Sequence, residues 1–258
     1  MTKYLILIYS GYFICSIFLS FLLNALFLRF SRTLGIRDSP ELVRWATTQK
    51  PAVGGISFYV LFLLSIACYT VFFQYRLIPL DKKLLGLIGS VTLAFVMGLA
   101  DDAYNTKPLL KFAVQIACGF ILCETGFAIH LFENETLNQA LTIFWVVGIM
   151  NSINMLDNMD AITASISTVI LLEALVSLYV TRNFYSVHVI VILGVVGALG
   201  GFLFFNWHPS KLYMGDTGSQ FLGILLAAIG IEYFWNSPDY GNNLIFSKRI
   251  IVTALGFL

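Results

Sequence analysis

Three short acidic segments carry the side chains of this chain that could do chemistry. They are Asp101-Asp102, the segment 154–160 with Asp157 and Asp160, and the segment 214–219 around Asp216. Each lies at the end of an apolar run, where a carboxylate is costly unless it has a function. Clustered carboxylate and amide oxygens suit a hard cation such as Mg²⁺, which usually shares its coordination shell with phosphate groups. The segments therefore predict a metal-dependent enzyme that acts on a charged substrate at a lipid surface.

The composition places the chain in a membrane. Of its 258 residues, 59% are hydrophobic and 11% are charged, whereas soluble domains carry about 25% charged residues. The formal net charge of +1 gives no indication of nucleic acid binding. The four cysteines lie in apolar runs without a Cys-x-x-Cys pair or histidines at ligand spacing, which argues against zinc. The predicted fold class is all-α, a polytopic integral membrane protein.

Apolar runs of about 20 residues, the length that crosses a bilayer, divide the chain. Eight lie at 4–28, 55–75, 84–100, 110–129, 140–156, 162–181, 187–205 and 217–235, and a ninth begins near 250. The longest polar connection, 29–54, must lie outside the hydrocarbon. We expect one transmembrane domain over residues 1–258, with eight to nine helices.

The order of the spans places the three acidic segments on one membrane face. They follow spans three, five and seven, and the polar connection 29–54 follows span one. Odd-numbered spans all exit on the same side, so the five carboxylates share a face. The connection is basic, with Arg29, Arg32, Arg37, Arg44 and Lys50. Cytoplasmic loops carry an excess of Lys and Arg, so this face is predicted to be cytoplasmic and the N-terminus to be outside.

Five segments, in order along nearly the whole chain, carry a resemblance to a known family. They are Lys50-Pro51-Ala52-Val53-Gly54-Gly55, Gly98-Leu99-Ala100-Asp101-Asp102, Lys111-Phe112-Ala113-Val114-Gln115, the run Asn151 to Ala161 with Asn154, Asp157 and Asp160, and the run Pro209 to Ser219 with Met214-Gly215-Asp216. Together they resemble the polyprenyl-phosphate N-acetylhexosamine-1-phosphate transferases, also called glycosyltransferase family 4. The last run is the most specific, because an uninterrupted Met-Gly-Asp-x-Gly-Ser between two spans rarely arises by chance.

The resemblance implies an activity and a place in the cell. A polyprenyl (undecaprenyl) phosphate would attack a UDP-N-acetylhexosamine, accept its sugar-1-phosphate and release UMP. Mg²⁺ would be the cofactor, with Mn²⁺ as an alternative. The enzyme would prime cell-envelope polysaccharides such as O-antigen in the bacterial inner membrane, and family members form homodimers. The alternatives are the phospho-MurNAc-pentapeptide transferase of peptidoglycan synthesis, a secondary transporter and a non-catalytic remnant.

The resemblance also implies roles for individual side chains. Asp101, Asp102 and Asp216 would be catalytic, and Asp216, Asp157 and Asp101 would be metal ligands. The donor substrate would be bound by Asn154, Asp157, Asp160, Tyr213, Lys211, Lys50 and Lys111, with Tyr213 stacking on the uracil and the lysines on phosphates. Read from the residues alone, Tyr213 could belong to the aromatic interface belt. Lys111 and Lys211 could anchor span ends, and Asp160 could cap span six. Thr217 or Ser219 is expected to cap span eight.

The chain departs from the family pattern at two points. Asn158 and Ala161 replace two glycines of the central run. Asn tolerates positive φ, whereas Ala does so less easily. In addition, family members continue into a segment with a histidine motif, whereas this sequence ends at Leu258 within an apolar run. The sequence is therefore expected to be truncated at its C-terminal end and to lack the expected C-terminal segment.

Overall fold

A computed structural model describes residues 2–34, 50–72 and 81–236. These residues form eight long α-helices, each apolar and long enough to cross a membrane. They are α1 (Thr2–Leu34), α2 (Gly54–Phe72), α3 (Lys82–Tyr104), α4 (Pro108–Thr125), α5 (Glu135–Leu156), α6 (Ile162–Val180), α7 (Val187–Asn206) and α8 (Gly215–Gly230), which continues into a π-helical turn (Ile231–Trp235). The prediction of an all-α multi-span membrane protein is confirmed. The ninth predicted span, Arg37 and Arg44 lie outside the described residues.

Helix ends differ from the predicted spans where the acidic segments begin. α3 runs to Tyr104, so Asp101 and Asp102 lie in its last turns rather than after it. It ends at Asn105, which has φ 48 and donates its N–H to the Asp101 carbonyl, as a left-handed C-terminal residue does. α8 begins at Gly215, so Asp216 lies in its first turn. The carboxylates are therefore carried by rigid helix ends.

α8 forms the centre of the helix bundle. It packs against α2, α3, α5 and α6, and its residues from Thr217 to Gly230 are buried. α1 lies at the outside against α7 and α2, and it exposes large apolar side chains such as Leu7 and Phe18. Exposed apolar side chains on the outer helices are expected where lipid tails are the solvent. The buried helix is thus the one that carries Asp216.

A close approach of two helix ends brings α3 and α8 together. A Cβ added at Gly98 in α3 would lie 2.4 Å from the Asp216 carbonyl oxygen. Only glycine leaves room for this crossing, because any side chain would force the helices apart. The contact places the last turns of α3 beside the first turn of α8, and with them the carboxylates of Asp101 and Asp216.

The segment before α2 pairs with the segment before α8. Ala52 and Tyr213 form a parallel β-bridge. The Tyr213 N–H donates to the Pro51 carbonyl at 3.0 Å, and the Gly54 N–H donates to the Tyr213 carbonyl at 3.0 Å. These bonds join the end of the basic connection to the Met-Gly-Asp run. The starts of α2 and α8 therefore lie at the same end of the bundle.

Candidate active site

Four helices each contribute one polar side chain to a compact group, which we call the charged cluster. Its members are Asp101 of α3, Lys111 of α4, Asn154 of α5 and Asp216 of α8. The Lys111 Nζ lies 2.9 Å from Asp101 Oδ2 and 2.8 Å from Asp216 Oδ1. Asn154 Nδ2 donates to Asp216 Oδ1 and, at 2.8 Å, to Ser219 Oγ. One ammonium group therefore offsets one of the two negative charges of these carboxylates, and the pair keeps a net charge of −1.

The Asp101 carboxylate is fixed from a second side. Its Oδ1 accepts the Thr106 N–H at 2.8 Å and the Thr106 hydroxyl at 2.5 Å. Thr106 lies in the short connection between α3 and α4. The side chains of Asp101, Lys111 and Asp216 are 10%, 16% and 30% exposed. Asp216 is thus the member of this group that is most accessible to a ligand.

Asp102 binds the N-terminus of α8. Its Oδ1 accepts the Asp216 N–H at 2.8 Å, and its Oδ2 accepts the Thr217 N–H at 2.9 Å and the Thr217 hydroxyl at 2.5 Å. The prediction that Thr217 or Ser219 caps this helix is wrong, because neither side chain caps its N-terminus. The anion at the N-terminus of α8 is the carboxylate of Asp102, supplied by another helix, which satisfies the backbone N–H groups of Asp216 and Thr217.

A cavity of about 410 Å³ opens beside the charged cluster. Its volume lies within the range of small-molecule sites, about 300–1,000 Å³. Six predicted site residues line it, and four neighbours complete the wall. The lining consists of Asp101, Asp102, Asn154, Asp157, Tyr213 and Asp216 together with Asn105, Met155, Asn158 and Gly215. The structure therefore brings the three acidic segments, which are far apart in sequence, around one cavity.

The oxygens at this cavity fit a magnesium ion that is shared with phosphate. Among the described residues, no three His, Cys, Asp or Glu side chains are grouped so that they could hold a metal by themselves. Mg²⁺ needs no such cage, because it is commonly held by one or two carboxylates, substrate phosphates and water. Asp216 and Asp101 are close enough to share Lys111, and Asp157 faces the same cavity.

Asp160 lies in a neighbouring cluster and not at the cavity. Its Oδ1 accepts the Ser210 hydroxyl at 2.7 Å, and its Oδ2 accepts the Ser210 N–H at 3.1 Å and lies 3.0 Å from His208 Nδ1. Burial raises the pKa of Asp160. The bonds from Ser210 and His208, with the charge of Lys50, lower it more, so that the pKa lies below its usual value.

Asp160 does not cap α6, contrary to one predicted alternative. The residue at that cap is Ala161, without a side-chain bond, and its φ is 65. Its N–H donates to Asn206 Oδ1 at 2.9 Å. Asn158, which replaces the other glycine of the family pattern, has a negative φ. Its backbone therefore does not adopt the left-handed conformation. Only one of the two departures from the pattern, Ala161, therefore lies at a strained position.

The three predicted lysines have different surroundings. Lys111 lies within the charged cluster. Lys50 Nζ donates to Ser210 Oγ at 2.9 Å and lies 5.0 Å from the centre of the Tyr213 ring. Lys211 is exposed, and its backbone N–H donates to the Phe205 carbonyl. Lys50 therefore covers one face of the Tyr213 ring.

Sequence reasoning missed the role of Thr106 and assigned Thr217 and Ser219 a different role, that of helix caps. Thr106 fixes Asp101, Thr217 binds Asp102, and Ser219 accepts from Asn154. Thr217 and Ser219 lie within the recognised Met-Gly-Asp run, so a signal for them was present. Thr106 follows the Asp-Asp pair at a spacing that carries no chemical signal of its own.

Comparison with known proteins decides the family. The family model for glycosyl transferase family 4 matches residues 84–234, and this range includes the whole charged cluster. The chain belongs to glycosyl transferase family 4. The family predicted from the sequence motifs is confirmed, and the match extends from α3 to the π-helical turn after α8.

Two relatives in glycosyl transferase family 4 illustrate the range of similarity. One is a probable undecaprenyl-phosphate N-acetylglucosaminyl 1-phosphate transferase of Bacillus subtilis, 25% identical over 253 residues, covering 95% of this chain and 67% of the relative. The other is a phospho-N-acetylmuramoyl-pentapeptide-transferase of Streptococcus uberis, 34% identical over 208 residues, covering 70% of this chain and 58% of the relative. The chain thus spans about three fifths to two thirds of the length of these relatives.

Proposed function

We propose that the protein transfers an N-acetylhexosamine-1-phosphate from a UDP-sugar to undecaprenyl (polyprenyl) phosphate. A phosphate oxygen of the lipid bonds to the β-phosphorus of the donor. The bond from that phosphorus to the bridging oxygen breaks, and UMP leaves with this oxygen. The attacking phosphate is already ionised near neutral pH, so the step requires positioning and charge stabilisation more than a strong base. The product is a lipid diphosphate that carries an amino sugar.

The single observation that carries this proposal is the position of Lys111 between Asp101 and Asp216. The ammonium group lies within 3 Å of both carboxylates, and these two carboxylates line a cavity together with other acidic and amide side chains. A cation at this point stabilises the negative charge of a transferring phosphoryl group. The relatives act on undecaprenyl phosphate or on an N-acetylmuramoyl-pentapeptide, according to their names.

The proposed metal is Mg²⁺, with Mn²⁺ as an alternative. Asp216 and Asp101 would hold it, together with Asp157, which lines the same cavity. When bound, such an ion neutralises phosphate charge and orients the displacement. Asp216 is the first candidate because its side chain is more exposed than those of Asp101 and Lys111.

The donor nucleotide is proposed to lie along the wall formed by Asn154, Asp157 and Tyr213. These three side chains line the cavity together. Lys50 lies on the Tyr213 ring and is bonded through Ser210 to Asp160. Asp160 and Lys50 are therefore proposed to support the aromatic wall, while Lys111 and Lys211 serve the phosphates.

The proposed location is the bacterial inner membrane, with the site on its cytoplasmic face. The basic connection before α2 supports this side, because Lys50 at its end lies beside the site-bearing ends of the helices. The proposed pathway role is the priming of a cell-envelope polysaccharide. A homodimer remains a prediction of the family resemblance.

The test uses the purified chain in detergent with polyprenyl phosphate, Mg²⁺ and radiolabelled UDP-N-acetylglucosamine. With the wild-type protein, label is expected to enter the lipid phase. With the Asp216→Asn variant, or with EDTA present, label is expected to remain in the aqueous phase. Asp81→Asn, an exposed carboxylate at the other end of α3, is the matched control and should transfer label normally. Transfer that persists in the presence of EDTA would contradict the proposed metal dependence. Transfer by the Asp216→Asn variant would contradict the proposed role of Asp216.

The second candidate donor is UDP-N-acetylmuramoyl-pentapeptide. It is favoured by the higher identity, 34%, to the Streptococcus uberis relative. The same assay separates the two candidates. Transfer from the pentapeptide donor alone would support the proposed reaction type but change the assigned donor sugar. No transfer from either donor would contradict the proposed function.

A further inference from the structure

A second layer of polar side chains lies one helical turn deeper in the bundle than the charged cluster. We call it the amide layer, and its members are Gln115, Asn151 and Gln220. Gln115 follows Lys111 by four residues, Asn151 precedes Asn154 by three, and Gln220 follows Asp216 by four. Residues three or four apart lie on one face of a helix. The same faces of α4, α5 and α8 therefore meet twice, first in the charged cluster and then in the amide layer.

The members of the amide layer bind one another across three helices. Gln115 Nε2 donates to Gln220 Oε1 at 3.1 Å and to Asn151 Oδ1 at 3.4 Å. Asn151 Nδ2 donates to Gln115 Oε1 at 2.8 Å. Gln115 and Gln220 are each 1% exposed. Gln115 is thus the central member, in contact with both neighbouring helices.

These bonds restrict how α4, α5 and α8 can slide or rotate. A buried amide that loses its partner leaves a donor and an acceptor unsatisfied in an apolar setting. Apolar packing alone tolerates small shifts of a helix, because lipid and side chains are equally apolar. The amide layer therefore favours one register of the three helices, the register in which Lys111 and Asn154 reach Asp216.

We propose that the amide layer is a positioning set for the transfer reaction. It does not touch the reacting groups. It holds α4 and α8 so that the Lys111 ammonium remains between Asp101 and Asp216. Gln220 Nε2 is buried and has no hydrogen-bond partner among the described residues, so Gln220 is held in the layer through its acceptor oxygen alone. The inference about the reaction rests on the proposed function, but the position of Lys111 can be measured without it.

The test replaces an amide by a methionine of similar length, in Gln115→Met and separately in Gln220→Met. The matched control is Asn138→Leu, which removes a buried amide at the other end of α5. Labelling of Lys111 by a water-soluble amine-reactive ester is followed by mass spectrometry, with exposed Lys107 as the internal reference. This readout needs no donor, lipid or metal. Transfer kinetics are measured on the same preparations.

We expect Lys111 to be labelled at least about threefold faster in the two methionine variants and at the wild-type rate in Asn138→Leu. We expect kcat to fall about tenfold in the methionine variants, with KM for the donor within about twofold, as for a misplaced catalytic group. Unchanged labelling of Lys111 in the methionine variants would overturn the proposal. Faster labelling in a protein whose wild type transfers no sugar would support the positioning role and contradict the proposed function instead.

Discussion

The carboxylate of Asp102 binds Thr217 in the first turn of α8, a helix that begins more than a hundred residues later in the chain. Its two oxygens accept three hydrogen bonds, two of them from Thr217. A Cβ added at the neighbouring Gly215, where φ is 73, would lie 2.6 Å from Asp102 Oδ2. The pair of aspartates at the end of α3 is therefore divided in role, with Asp101 bound to Lys111 and Asp102 bound to the backbone of α8.

Asp102→Asn is expected to lower both stability and activity. Loss of a helix cap costs about 1 kcal/mol, and a shift of Asp216 lowers transfer about 10- to 100-fold. Thermal unfolding and the lipid-phase assay measure the two effects. Asp81→Ala removes a cap at the opposite end of α3, where Asp81 accepts the Lys83 N–H, and should affect stability alone. Full activity in Asp102→Asn would contradict the positioning of Asp216 by this cap.

Lys111→Met is expected to destabilise the folded protein and abolish transfer. The substitution leaves two carboxylates facing each other without a cation. Removing one partner of a buried pair costs about 3–5 kcal/mol, which the partial exposure of Asp216 reduces to about 2 kcal/mol. Lys107→Met, at the exposed residue directly before α4, is the control. Adding Asp101→Asn to Lys111→Met should restore part of the melting temperature, and a further loss of stability would contradict the assigned charge balance.

The Asp160 cluster predicts a pH-dependent contribution to stability. The pKa of Asp160 is lower in the folded chain than its usual value, so its ionised form stabilises the fold above the unfolded-state pKa of about 4. This contribution is lost as the pH falls through the folded-state pKa. The melting temperature of Asp160→Asn should therefore lie below that of wild type at pH 6, and the gap should narrow towards pH 3. A gap that is constant with pH would be inconsistent with this assignment.

Ala161→Gly is expected to stabilise the protein. Ala161 has φ 65, and the left-handed conformation costs a residue with a side chain about 1–2 kcal/mol, part of which glycine loses again in entropy. A net gain of about 0.5 kcal/mol in the free energy of unfolding should follow. Asn158→Gly is the matched comparison, because Asn158 has no positive φ. It should lose stability, and equal gains in both variants would show that the strain is not at Ala161.

The sequence alone determined the membrane architecture and the family. Eight apolar runs of sufficient length can satisfy their backbone polar groups in a bilayer only as helices, and all eight are present. The Asp-Asp pair and the Met-Gly-Asp run were recognisable because their spacing is short and local. The predicted helix ends were less accurate than the predicted helices themselves. The span predicted at 110–129 ends at Thr125, because Gly126 takes a left-handed conformation there.

Only the tertiary structure decided which partner each charged side chain takes. Lys111 and Asp216 are 105 residues apart, and nothing in their spacing distinguishes Asp101 from Asp102 as the carboxylate that Lys111 reaches. The packing of α3 on α8 at Gly98 makes that choice, because it turns Asp102 towards the backbone of α8 and Asp101 towards α4. Likewise, Asp160 binds Ser210 and His208 because the segment after α7 lies beside the start of α6. Side-chain pairing between helices depends on their rotation and register, which hydropathy does not specify.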